Sequence, residues 1–323
     1  MNSTTLSQEI QPYDVNSCIV HCNGDILYHY EKLDEASSKL MPVNSCTKSI
    51  LSALICIAMD QGLIPSPDTC ITHFFPQLHD QQDKRKQMIT LQHLLTLTAG
   101  LKWTEFGGIN SFPKMTRSAD WIDFVLQQPM SDEPGSVMVY NSGVSQLLAA
   151  ILVQSTGQSI SQYADLHLFG PLGIKQYEWK IDPQGIHTGG YGLQLCANDM
   201  LKFGLLYLQR GKWNNEVIIS EELIDLSIEP AIAVTLPEHG CYGWHWWTDY
   251  IPANDTTDAS TIADLHYYYA RGFGGQFIII VPTLNSVIVL TRKQRKMGLS
   301  PLDFFRLHIA PMLIAYHTAS PLN

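Results

Sequence analysis

Two side chains in the stretch NSCTKSILSALICIAMDQGLI have the types and spacing of a nucleophile and its base, Ser45 and Lys48. Three apart on a helix, they leave the same face one turn from each other, which brings the amine within reach of the hydroxyl. A serine at a helix start meets backbone N–H groups with no intrahelical partner, at the positive end of the helix dipole, and both favour negative charge developing on its oxygen. To take the serine proton a lysine must present a neutral amine, the form favoured by burial or by a neighbouring cation or phenol. Such a pair could carry out nucleophilic catalysis. The same four residues also read as a helix N-cap followed by a solvated lysine. A second pair at this spacing, Ser111 and Lys114, reads SFPK, and Pro113 within it is expected to break the helix that would join the two side chains.

The elements that must position Ser45 and Lys48 begin with their own helix, expected from near Ser45 to about Met59. Ile50, Leu51, Leu54, Ile55 and Ile57 make it apolar nearly all round, as in a helix buried inside a sizeable protein. Upstream, SCIVHCNGDILYHYEK alternates apolar and polar residues on both sides of Asn23-Gly24, a strong hairpin signal. Downstream, IPSPDTCITHFFPQLHD reads as irregular structure with short turns. Helices are expected over Thr90 to Gly100, Trp121 to Gln128, Val144 to Thr156, Ile160 to Leu168 and Asn198 to Gln209, several closed by glycine. After about residue 214 the period shifts toward two: CYGWHWWTDYI and QFIIIVPTLNSVIVLTR read as strands. A closing helix over Leu302 to Ala315 carries a kink at Pro311. Strands near both termini with helices between predict an α/β (α+β) fold. It would have one antiparallel sheet region, 1–70 with 214–323, an inserted mainly helical region, 71–213, and the active site between them.

At 323 residues, 45% apolar and with mean hydropathy −0.02, the chain has the composition of a soluble globular protein. A net charge of −10 and a pI near 5.6 argue against nucleic acid or an anionic membrane surface as partner, since both reward basic patches. No run approaches the roughly 18 apolar residues of a membrane span. The start, MNSTTLSQEIQPYDV, lacks the charged and apolar regions of a secretory signal, so a cytoplasmic protein is expected. Seven cysteines, an odd number scattered along the chain, do not make a disulfide framework. Cys18 and Cys22, on one face of a strand, would stand about 13 Å apart, too far to bond each other. The twelve histidines show no HExxH and no paired spacing with cysteine, so neither a metal nor another cofactor is expected.

The stretches SCTKS at 45, ITLQHLLTLTAGL at 89–101, EPGSVMVYNSG at 133–143, GPLGI at 170–174, YGLQLCANDMLKFGLLYLQRGKW at 191–213 and GFGGQFIIIVP at 272–282 occur in an order that covers nearly the whole chain. With them the chain resembles the SxxK serine hydrolases of the class C β-lactamase type. That group includes penicillin-binding DD-peptidases, class C-like esterases and nylon-oligomer hydrolases. The resemblance implies a β-lactamase/transpeptidase-like fold and acyl transfer, with Ser45 as nucleophile, Lys48 as activating base and Tyr140 as the phenol that shuttles protons to the leaving group. The second family motif is Tyr-x-Asn. Here it reads Tyr140-Asn141-Ser142, so either Asn141 or Ser142 is expected to contact the substrate and Lys48.

The third motif departs further, because HYYYARGFGGQF contains neither the Lys-Thr-Gly of family β-lactamases nor its His variant. Gly272, Gly274 and Gly275 would still let a strand backbone approach a substrate closely, and an N–H near Gln276 could pair with that of Ser45 as an oxyanion hole. The same glycines also read as a bulge before an ordinary core strand. Arg271 is the one cation near the motif and reads either as a surface charge or as a carboxylate ligand. The expectation is a cofactor-free serine hydrolase acting on a small-molecule ester, amide or lactam. The alternative is a penicillin-binding or sensor protein of the same fold that acylates without turnover.

Overall fold

The structure, a computed structural model, describes residues 3–234, 239–253, 264–293 and 298–319. Its first elements are strands β1 (Val15–Cys22) and β2 (Asp25–Glu31), paired antiparallel. Asn23 and Gly24 join them, both at positive φ (52° and 95°), as a two-residue hairpin turn requires. Near the other end of the chain lie β3 (Ile232–Ala233), β4 (Cys241–Tyr242), β5 (Trp247–Ile251), β6 (Leu265–Gly272), β7 (Gln276–Val281) and β8 (Ser286–Arg292). The eight form one antiparallel sheet in the order β2-β1-β8-β7-β6-β5-β4-β3, closed by register pairs such as Cys18↔Leu290 and Val20↔Ile288. Every residue of β7 and β8 is buried, which accounts for the continuous apolar runs QFIIIV and SVIVL: both faces of these strands are covered.

Helix α1 (Cys46–Asp60) packs against β6 and β7 and against a second helix, α2 (Ser142–Thr156). Residues Cys46 to Ala58 of α1 are all buried, as its apolar circumference demands. Past Gln61, Gly62 takes φ 70° and the N–H groups of Leu63 and Ile64 turn back to the Ala58 carbonyl, ending the helix. Helix α3 (Ala197–Leu208) falls within the stretch assigned to the helical region, yet it packs on β7 and β8. Gly204 permits that approach, because a Cβ there would stand 2.6 Å from Val287 Cγ1 and 2.9 Å from Ile278 Cγ2.

Three expected elements take a different form. The helix predicted from Thr90 to Gly100 stops at Leu95; Leu97 takes φ 59°, and Thr96 and Thr98 hydrogen-bond each other. Gly100 is therefore no helix terminator: its φ of 74° and its contact with the Asp132 carbonyl mark a close approach of two loops. The run CYGWHWWTDYI is two strands rather than one, interrupted at Gly243–Trp246, where His245 has φ 60°. Pro113 does not break its helix. It lies in the first turn of Phe112–Met115, where a missing N–H costs nothing.

Candidate active site

Ser45 caps the start of α1 and its own side chain makes no capping hydrogen bond. One turn on, Lys48 is 1% exposed. Its Nζ donates to Ser142 Oγ at 2.9 Å and to the Gly190 carbonyl at 2.8 Å, and it stands 4.8 Å from the centroid of the Tyr140 ring. Three separate parts of the chain thus converge on one buried amine: the first turn of α1, the first turn of α2 with Tyr140 two residues ahead of it, and the Gly189–Gly190 loop. Gly190 leaves the amine its room, for a Cβ there would lie 3.1 Å from Nζ and 3.0 Å from Ser142 Cβ.

The two polar residues after Tyr140 have different partners. Asn141 is buried and its Oδ1 accepts from the N–H groups of Gly143 (2.8 Å) and Val144 (3.2 Å), so it caps α2. Of the two, Ser142 is the one that reaches Lys48. Its hydroxyl also donates, in a short bond, to Glu105 Oε1, while Glu105 Oε2 accepts from the Ser142 N–H at 3.0 Å and from Trp103 Nε1 at 2.8 Å. Sequence reasoning missed Glu105, since nothing in its spacing ties a loop residue to a helix start 37 positions later.

The hairpin from β6 to β7 meets the Ser45 turn through Gly272 and Phe273. Gly272 presses on the Val43 carbonyl, where a Cβ would collide, and the Phe273 carbonyl accepts from Asn44 Nδ2 at 2.6 Å. Gln276 turns the other way. It is 1% exposed and its side chain donates to the Arg292 carbonyl at 2.6 Å, across the sheet in β8. Gly274 and Gly275, at φ 87° and 103°, make the turn toward Arg292 and Pro301: the Gly274 carbonyl accepts from Arg292 Nε, and a Cβ on Gly275 would stand 2.9 Å from that nitrogen and from Pro301 Cγ. The Gly272–Phe273 peptide thus lies against the turn that holds Ser45. Arg271 lies over the Trp247 ring, 5.5 Å from its centroid, and that ring stacks on Tyr140 at 6.1 Å. Cys46, next to Ser45, is an inert neighbour: burial pushes its thiol well up, away from the reactive thiolate.

A model of the Beta-lactamase family matches residues 18–306 of this sequence. The chain belongs to the Beta-lactamase family. Two further proteins similar to this Beta-lactamase-family chain are penicillin-binding protein 4* of Bacillus subtilis and esterase EstB of Burkholderia gladioli. The first is 25% identical over 186 residues, 52% of this chain and 39% of that protein. The second is 25% identical over 177 residues, 49% of this chain and 45% of that one. The alignments thus span less than half the length of either relative. Among solved structures, a putative 6-aminohexanoate-dimer hydrolase from Bacillus anthracis superposes with a TM-score of 0.79 at 19% identity, over 98% of this chain and 82% of that one. The fold is that of β-lactamase and transpeptidase-like hydrolases. Among the described residues of this Beta-lactamase-family chain, no helix is long and apolar enough to cross a membrane, and no group of three metal-ligating side chains comes together.

Behind the lysine, the interruption between β4 and β5 places a histidine in the core. His245 is 1% exposed; its N–H donates to the Leu95 carbonyl, its carbonyl accepts from Ser49 Oγ at 2.7 Å, and its Nε2 is 3.1 Å from Ser145 Oγ. Burial pushes its pKa down to about 3. The unfolded chain would protonate this ring near pH 6.5. Between those values the unfolded state binds a proton that the native state refuses. Stability is therefore lost as pH falls from about 6.5, by up to about 1.4 kcal/mol per pH unit, and the loss levels off near 3. His245→Asn removes the titration and keeps a residue tolerant of positive φ. The acid-side decline in Tm between pH 6.5 and 4 is expected to flatten in this variant, with the half-buried His21, His93 and His187, also pushed down by desolvation, contributing to the slope that remains. Equal slopes for the two proteins in a thermal scan series would refute the assignment.

Proposed function

We propose that the chain is a serine hydrolase that forms an acyl-enzyme at Ser45 and releases it to water. The observation that carries the reading is the buried Lys48 amine, held by Ser142 and Gly190 one turn from Ser45 and beside the Tyr140 ring. In this reading Lys48 takes the Ser45 proton as the hydroxyl attacks the substrate carbonyl. Tyr140 passes a proton to the leaving group. The N–H groups of Ser45 and Phe273 hold the developing oxyanion, with Phe273 replacing the position first expected near Gln276.

The substrate class follows from what surrounds the nucleophile turn. Tyr267 to Ala270 offer no charge where family β-lactamases have a lysine, and Arg271 is stacked on Trp247. Phe106, 74% exposed, and Phe273, 48% exposed, place their rings 6.4 Å apart, presenting apolar surface beside the turn that holds Ser45. Uncharged esters with an apolar acyl chain fit this edge better than carboxylate-bearing β-lactams. The missing charge-assisted hydrogen bond corresponds to about 1.5–3 kcal/mol, roughly ten- to hundredfold in rate. The expected result is therefore a kcat/KM for nitrophenyl butyrate at least tenfold above that for nitrocefin. If nitrocefin instead wins by tenfold, the substrate assignment fails, and Arg271→Ala then shows whether that side chain recruits the carboxylate. A labelling burst with no steady-state turnover on either compound would make the chain a penicillin-binding or sensor protein.

A further inference from the structure

We infer that Glu105 is a positioning residue of this site, fixing the direction of the Lys48 amine through the Ser142 hydroxyl. The inference rests on the serine hydrolase reading. A hydroxyl has one proton to give and two lone pairs to offer, and which neighbour receives the proton depends on what each neighbour can do. The Glu105 carboxylate can only accept. It receives the Ser142 O–H at Oε1, and the N–H groups of Ser142 (3.0 Å) and Trp103 (2.8 Å) hold Oε2, so the carboxylate is fixed on both oxygens. With its proton committed, Ser142 Oγ faces Lys48 Nζ as an acceptor, as the Gly190 carbonyl must.

A neutral amine has two hydrogens and one lone pair. Both hydrogens are taken by Ser142 and Gly190, and the lone pair is left the one remaining direction. Ser45 stands one turn back on α1 and the Tyr140 ring centre is 4.8 Å from the amine, and in this inference the lone pair serves the hydroxyls these two residues carry. Were the Ser142 rotor free, its O–H could turn and donate to the amine's lone pair, occupying the base before the nucleophile reaches it.

Glu105→Gln tests this with a nearly isosteric side chain. The amide oxygen is needed by the two N–H donors that now hold Oε2, so its NH2 group faces Ser142 Oγ and donates to it. The Ser142 proton is then turned toward Lys48. On nitrophenyl butyrate, kcat should fall on the order of 10- to 100-fold, part of what a positioned base contributes, with KM and Tm close to wild type. Ser142→Ala removes the intermediary, so adding Glu105→Gln to it should cost little more, a non-additivity that a merely structural carboxylate would not produce. A wild-type kcat in Glu105→Gln, or a double-variant loss equal to the product of the single losses, overturns the role of Glu105 while leaving Ser45 in place. Fluorophosphonate labelling of the wild type runs alongside, and failure to form an adduct on Ser45 overturns the underlying reading instead. Should Glu105→Gln not fold, Trp103→Phe removes one donor to the same carboxylate. A kcat drop of threefold or more that vanishes in the Ser142→Ala background is then expected, and no drop overturns the inference.

Discussion

Replacing Ser45 by alanine is expected to abolish both turnover and covalent labelling, leaving no measurable rate above the uncatalysed background. The expectation rests on the competition among hydroxyls. The chain's other serine–lysine pair at this spacing cannot substitute. Ser111 is fully buried, its Oγ donates to the Gly108 carbonyl at 2.7 Å, and Lys114 is exposed. Ser142 is close to the amine but has given its proton to Glu105, and Ser49 and Ser145 are engaged with His245. Among these hydroxyls, Ser45 combines partial exposure with a lysine one turn away on the same helix. Peptide mapping by mass spectrometry after fluorophosphonate treatment checks the assignment. An adduct on any residue other than Ser45, or full labelling of Ser45→Ala, would end it.

Lys48→Ala and Tyr140→Phe should each lower kcat by on the order of 10² or more, as loss of a positioned proton-transfer group does. The two substitutions differ in what they do to the fold. Tyr140→Phe keeps the ring that stacks on Trp247, so its Tm should hardly move. Lys48→Ala strips partners from Ser142 and Gly190 in a closed interior, which costs about 1–3 kcal/mol of stability for each polar group left unsatisfied. If both groups belong to one proton-transfer unit, as proposed, their effects on rate should not multiply. A double variant whose loss equals the product of the single losses would show that they act independently.

The elements carrying the chemistry were legible because their signals are local. A fully apolar helix beginning at a serine, an Asn-Gly hairpin and two unbroken apolar strands each state their conformation within a few residues. Glu105 was hidden because its meaning lies in a contact between a loop and the start of α2. The same holds for the Gly190 carbonyl, since every residue type offers one. Asn141 and Ser142 could not be separated from the motif alone: both are good helix caps and both are polar, and the backbone path decides which side chain folds back on its own helix and which reaches Lys48. The glycines at 272, 274 and 275 are equally permissive in sequence, so the motif alone does not tell which peptide of the hairpin approaches the turn that holds Ser45. In three dimensions it is Gly272 that approaches the Val43 carbonyl, two residues before Ser45.

The pairing of β1 with β8 has a consequence for how the protein is made. Val15–Cys22 finds its partner strand in residues synthesised about 270 positions later. At ribosomal speeds of about 5–20 residues per second, that is a wait of roughly 15 to 50 seconds. Until then the inner edge of the first hairpin, with Cys18 and Val20 destined for the core, has only β2 beside it, and an isolated two-stranded hairpin is marginal in water. Because β6 and β7 also come late, α1 lacks the strands it packs on while the chain is still growing. Under the serine hydrolase proposal, the turn that holds Ser45 would therefore gain its sheet support only once these late strands have been made.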